Sequence, residues 1–216
     1  MDEYLPELLA RLADGFAVTL RMLGWSALIA GIVGTILAAM RVSPVPPLRA
    51  FGTSYVNIFR NTPLVVLFLL AVEGLPTVGV RISFEWFAII TLATYTASFV
   101  CEAIRSGINT VDVGQAEASR SIGMTFGQSL GIIVLPQAIR AVIPPLASVY
   151  IALAKNTAVA AAFGVVEATG QLSNLIRDFA SFLWFSFFGI AAGYVIIVLV
   201  ISGIAGMIER RLAVVR

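Results

Sequence analysis

A lysine, an asparagine and a threonine in succession, Lys155-Asn156-Thr157, interrupt the apolar run from Leu146 to Val166. A cation near the centre of such a run costs about 2.5–3.5 kcal/mol to place in a bilayer, and from there its side chain does not easily reach either surface. Charges so placed face a cavity or a partner. Two readings stay open for Lys155: its ammonium meets a carboxylate-bearing solute in a transport path, or a carboxylate or carbonyl of a neighbouring helix holds it. Asn156 either lines the same path or makes a helix–helix hydrogen bond. Thr157 offers its hydroxyl to a solute or to its own helix. Lys155 is the only lysine, and it lacks the glycine-rich Gly-Lys-Ser/Thr context of a phosphate-binding loop, so any ATP hydrolysis has to come from another chain. The absence of histidine excludes a histidine base or histidine metal site, and lone Cys101 excludes an internal disulfide.

The elements that position these residues follow from composition. The chain has 216 residues, 59% hydrophobic and 12% charged, where an ordinary soluble domain has roughly 25% charged. In lipid every backbone group has to be satisfied internally, and long apolar runs select helices over a barrel. The net charge of +2 comes without a basic block, so no nucleic-acid partner is expected. The start, MDEYLPELLARLADGF, is acidic where a signal peptide is basic. Its Leu5, Leu8, Leu9 and Leu12 follow helical spacing and predict a short amphipathic helix on the membrane surface. Five spans follow in a single transmembrane domain of residues 1–216: 15–40, 52–74, 84–106, 143–166 and 182–208, with a polar segment at 112–126. Between Arg21 and Arg41 lie 19 uncharged residues, which rise about 28 Å, enough to cross. Asn61 to Val72 gives only 12, about 18 Å, so the second span starts before Arg60, with Pro63 as a kink. The fourth is expected to start near Pro144-Pro145. Phe182, Trp184, Phe185, Phe187 and Phe188 read as an interfacial belt.

Odd spans put the termini on opposite sides. With the N-terminus outside, cytoplasmic segments hold Arg41, Arg49, Arg60, Arg105, Arg120, Arg140, Arg210, Arg211 and Arg216, and outer segments hold Arg11, Arg21, Arg81 and Arg177. Nine against four obeys the positive-inside rule and predicts N-out, C-in. Glu73 and Glu85 then lie at outer ends, solvated or against an external partner. Glu102 and Arg105, three apart at the inner end of the third span, are expected to pair.

The longest polar stretch, about Glu102 to Ile143, joins spans three and four. Ala116 to Ile122 predicts a short helix that Gly123 ends, with Glu117 and Arg120 able to pair on one face. Here Glu117-Ala118-Ser119, then Gly123, then Ile133-Val134-Leu135-Pro136, closely resembles the EAA signature of importer-type ABC permeases, with Ser119 in place of the second alanine. Arg60-Asn61-Thr62-Pro63-Leu64, Ser106-Gly107-Ile108, Gly114-Gln115, Leu135-Pro136-Gln137-Ala138 and Lys155-Asn156-Thr157 resemble the polar amino acid subfamily. Met40-Arg41-Val42-Ser43-Pro44 and the terminal Glu209-Arg210-Arg211-Leu212-Ala213-Val214 make the chain look most like glutamate-uptake permeases, over roughly residues 15–215.

The resemblance implies an all-α integral membrane fold of the MetI-like kind, with a cytoplasmic coupling helix between spans three and four. Gln115, Ala116, Glu117, Ala118, Arg120 and Gly123 would dock on an ATPase subunit, and Lys155, Asn156, Thr157, Arg60 and Thr62 would line the substrate path. Many relatives carry Asp where this chain has Asn156, and a neutral residue there removes a charge that repels an acidic solute. Arg60 either anchors the second helix or lines an anion path. The partners implied are two copies of an ATPase that holds ATP and magnesium, a second permease subunit (a paralogue rather than an identical copy), an extracytoplasmic amino-acid-binding protein and the lipid of a bacterial inner membrane. No catalytic residue, metal or cofactor is expected on this chain. Glutamate is the expected solute, aspartate next, with glutamine, arginine or histidine as alternatives. Two rivals of other classes are an ion-coupled secondary transporter, which needs carboxylates deep in its spans, and a membrane-embedded enzyme, which needs clustered reactive groups at one depth.

Overall fold

Leu5–Val42 form one helix, α1, which starts with Pro6 in its first turn and stops at extended Ser43, the residue before Pro44. A proline suits the first turn because its missing N–H has no partner there anyway, and it biases the residue before it out of helical geometry. The computed structural model describes residues 4–212. Arg216 of the charge count and the end of the terminal string at 213–214 lie outside the described residues. The expected surface helix is not separate: it is the first turns of α1. Its apolar stripe has a protein face to cover it, because Leu8 and Leu12 are buried against Ala168, Leu175 and Ile190.

Pro46–Asn61 form α2, again with proline in the first turn, and Leu64–Thr77 form α3. The kink expected at Pro63 is a full break. Thr62 is extended (φ −91°, ψ 129°), as the residue before a proline prefers, and the two helices meet at 101°. Phe84–Asn109 form α4, capped by the Ser83 side chain. Val113–Ser121 form α5, capped by Asp112. Phe126–Phe163 form α6, opened by a capping box of Thr125 and Gln128. Ala168–Asp178 form α7, and Ala180–Leu212 form α8. There is no strand among the described residues.

Two Leu-Pro pairs explain two irregularities. A turn of π-helix at Leu70–Gly74 precedes Leu75-Pro76, and another at Ser129–Val134 precedes Leu135-Pro136. A proline inside a helix lacks an N–H and crowds the carbonyl four residues back; a widened turn before it makes room. The helix that carries the fourth span does not begin at Pro144-Pro145. Both prolines sit inside α6, which continues from residue 126 to a final 3₁₀ stretch at Thr157–Phe163.

α4 is the centre of the subunit. Its Leu92, Ala93, Ala97, Val100 and Cys101 are all buried, and α1, α2, α3 and α6 pack around it. Small residues permit close approach between membrane helices. At Gly107 a Cβ would sit 2.2 Å from Val142 Cγ2 and 2.9 Å from Val142 N, so any side chain there would push α6 away from the C-terminal end of α4.

Charged pairs tie the ends together, in pairings other than those expected. Glu102 turns from Arg105 to Arg41 on α1, with Arg60 at 3.9 Å. The Arg41 side chain is only 9% exposed, and an unpaired buried cation is far costlier than a lost surface pair. Glu85, in the first turn of α4, accepts from Arg21 Nε at 2.5 Å and Nη2 at 2.9 Å instead of standing solvated, while Glu73 stays exposed. Arg11 Nη1 donates to Asp178 at 2.7 Å, clasping α1 to the end of α7, and holds that carboxyl below its usual range. A group with a lowered folded pKa contributes stability above its unfolded value and loses it as pH falls through the lowered one. The clasp is therefore intact at neutral pH and opens only in acid.

Candidate functional site: a polar cleft and an exposed helix

Lys155 and Asn156 are neighbours in sequence but occupy different places in space. Successive helical residues differ by about 100° around the axis, and here the step decides which cavity each one meets. Asn156 lines a cleft of about 270 Å³ with Tyr95, Thr96, Phe99 and Ser148. Lys155 lines another, about 340 Å³, with Thr169, Phe187 and Tyr194. α6 starts at residue 126 and ends at residue 163, so Lys155 stands toward the C-terminal end of its helix rather than at the helix's middle. Thr157 is fully buried and donates to the Ala154 carbonyl at 2.7 Å, which places its hydroxyl on its own helix.

Arg60 reaches the Asn156 side. Its guanidinium carbon lies 6.0 Å from the Phe99 ring centroid, and Phe99 is a wall of the Asn156 cleft. The structure thus brings Arg60 and Asn156 to one aromatic side chain and leaves Lys155 apart. A cation over a ring gains electrostatic attraction from the ring face, so Arg60 is held by Phe99 and Glu102 together. Thr62, next to the 101° break, donates to the Ile58 carbonyl at 2.8 Å. Phe99 and Tyr95 were not singled out in the sequence. Only the face opposite the buried stripe of α4 would have pointed to them.

Glu167 was also not singled out in the sequence. It is fully buried. It caps α7 by accepting from Thr169 N at 2.9 Å and Gly170 N at 3.0 Å. Tyr194 donates to it at 2.7 Å and Thr19 at 3.2 Å. A buried carboxylate with four donors is satisfied where it stands, and these donors join α1, α7 and α8. Glu167→Ala is expected to destabilise the subunit by about 3 kcal/mol, combining a lost cap with lost hydrogen bonds to a charge. The midpoint of thermal aggregation of the detergent-solubilised protein checks this. Glu167→Gln, which keeps an acceptor, should lose less. An alanine variant as stable as wild type would contradict the structural role.

The second feature is α5. It ends on Gly123, whose φ of +88° favours glycine. Gln115, Glu117, Ala118 and Arg120 are exposed, and Ala116 is half-buried. Glu117 and Arg120 do not form the expected ion pair among the described residues; both point outward. Ser119 is the buried residue of the helix, its hydroxyl bonded to Ser129 Oγ at 2.7 Å, which fastens α5 to the start of α6. Around the exposed charges stand Val113, Ile122 and Phe126, at 71%, 80% and 77% exposure. A rigid helix with charged positions inside an exposed apolar frame has the make-up of a protein contact surface. No cluster of metal-ligating side chains occurs among the described residues.

Residues 30–214 match the family described as the binding-protein-dependent transport system inner membrane component. The chain is 42% identical over 215 residues to the glutamate transport system permease protein GluC of Corynebacterium glutamicum, covering 94% of both. It is 33% identical over 211 residues to the glutamate/aspartate import permease protein GltJ of Escherichia coli strain K12, covering 92% of this chain and 85% of that one. Its fold superposes with a TM-score of 0.87 at 30% identity on an amino acid ABC transporter crystallised with histidines, covering 96% of both chains.

Proposed function

The chain belongs to the family of inner membrane components of binding-protein-dependent transport systems, and on that premise we propose that it is one permease subunit of an ATP-driven importer for glutamate, and next for aspartate. It is a multi-pass inner membrane protein of MetI-like fold. Family membership carries the coarse reading; end-to-end similarity to glutamate permeases supports the solute. Each permease holds one ATPase subunit at α5, with ATP and magnesium on that subunit, and the assembly has two ATPases and a second permease, a paralogue. An extracytoplasmic binding protein delivers the amino acid. Closure of the ATPase pair moves α5, and α6 carries that motion to the Asn156 cleft. The chain itself supplies no reacting group.

The solute path runs along the Asn156 cleft, with Arg60 and Phe99 at its wall and Thr62 at the break beside it. Lys155 and Thr157 belong to the outer side of the same helix; there the Lys155 ammonium gives the approach a positive potential that favours an anionic solute. Glutamate uptake by proteoliposomes containing the full complex and the binding protein tests the reading. Uptake of a basic amino acid with no uptake of glutamate would overturn it.

The N-out, C-in orientation has its own test. In cells carrying the full complex, a cysteine at Val78, 75% exposed in the loop between α3 and α4, is expected to react with an impermeant maleimide from outside. One at exposed Gln128 is expected to react only after permeabilisation. The reverse pattern would invert the topology.

A further inference from the structure

Helices α1, α6 and α8 leave an apolar cavity of about 360 Å³ between them, walled by Leu23, Ala27, Leu146, Tyr150, Ile201 and Ile204. It plays no part in the cleft or the coupling helix. α8 is the least covered of the long helices, with 6% of its apolar stretch buried, so the cavity opens toward whatever surrounds the subunit. Ile143 and Ile208 line it at one end. Because α6 and α8 run in opposite directions, one turn beyond that end stand Arg140 on α6 and Arg211 on α8. The end is close to the level where Val142 meets Gly107, near the close of α4, and so near the inner membrane boundary in the proposed orientation. Neither arginine makes an ion pair among the described residues. Glu209, two residues before Arg211, lies about 160° away around α8.

The apolar lining and the nearby arginines select the occupant. Water gains nothing, since a cavity without polar partners stays dry. A single hydrocarbon chain is narrow enough to enter such a cavity and has the matching chemistry. Basic pockets between helices on the cytoplasmic side attract anionic headgroups, and an arginine pairs with a phosphate through two parallel hydrogen bonds.

We propose that this cavity is a lipid site: one acyl chain of an anionic phospholipid lies between α1, α6 and α8, with its phosphate between Arg140 and Arg211. The lipid joins α8 to α1 where protein contacts between them are sparse. The site does not depend on which solute is moved. Its test uses the full complex in vesicles of phosphatidylglycerol and phosphatidylcholine, with bromine on the acyl chains of one lipid or the other. Tyr150→Trp places a fluorophore in the wall, Ile204→Trp provides a second reporter on α8, and the wild-type complex gives the background from Trp25, Trp86 and Trp184. Brominated phosphatidylglycerol is expected to quench either reporter about threefold more than brominated phosphatidylcholine. Adding Arg140→Gln and Arg211→Gln should abolish the preference and keep the quenching. Equal quenching by the two lipids, a preference that survives loss of both arginines, or reporters that neither lipid reaches because protein covers the cavity would each overturn the site.

Discussion

Gly123→Arg is expected to reduce ATP-driven uptake by at least about 100-fold, equivalent to about 2.7 kcal/mol, while the subunit still inserts in the membrane. Two effects act together. The backbone at Gly123 has φ +88°, where a side chain costs about 1–2 kcal/mol, and the new cation stands beside the exposed frame of Ile122 and Phe126. Glu117→Lys should have a comparable effect by charge alone, because Glu117 is exposed and has no partner within the described subunit. The measurement is copurification of the ATPase with tagged permease. Gly123→Ala separates the causes: it keeps the strain and omits the charge, and should retain part of the copurification. Either charged variant holding its full complement of ATPase and transporting at wild-type rate would remove α5 as the docking element.

Asn156→Asp is expected to cut glutamate uptake tenfold or more, with assembly and basal ATPase activity unchanged. A barrier of about 1.4 kcal/mol gives that factor, and a carboxylate in a partly desolvated cleft easily exceeds it against a like-charged solute. Asn156 and Phe99 line the same cleft, and the Arg60 guanidinium lies at the Phe99 ring. Arg60→Gln should weaken uptake in the same direction. If the complex carrying Asn156→Asp transports glutamate at the wild-type rate, discrimination lies wholly in the binding protein, and this cleft does not screen charge.

The sequence made the gross architecture legible because lipid leaves few options. Apolar runs between arginines marked the first, third and fifth spans, and Gly123 marked the end of α5. Hydropathy could not show the details that depend on a third partner. Glu102 had Arg105 three residues away, yet pairs with Arg41, since only the fold reveals that Arg41 would otherwise be buried alone. Lys155 looked central because the apolar run from Leu146 to Val166 centres beside it; in the fold that run is only the last part of α6, which continues back through both prolines. The π turns before Pro76 and Pro136 follow from a rule of backbone sterics that residue periodicity does not encode. α7 was missed because its apolar face is narrow and its cap is Glu167, a residue type more often exposed than buried.

The break at Thr62-Pro63 bears on how the chain is made. α3 has 14 residues, Leu64 to Thr77, a rise of about 21 Å against a hydrocarbon thickness of about 30 Å. α2 meets it at 101° and so cannot extend it in a straight line. A translocon that sorts segments one at a time would find α3 too short to release into lipid by itself. Its stable place is against α4, which is synthesised next and carries the cover it needs. Stable integration of α3 is therefore expected to depend on the presence of α4, which packs against it.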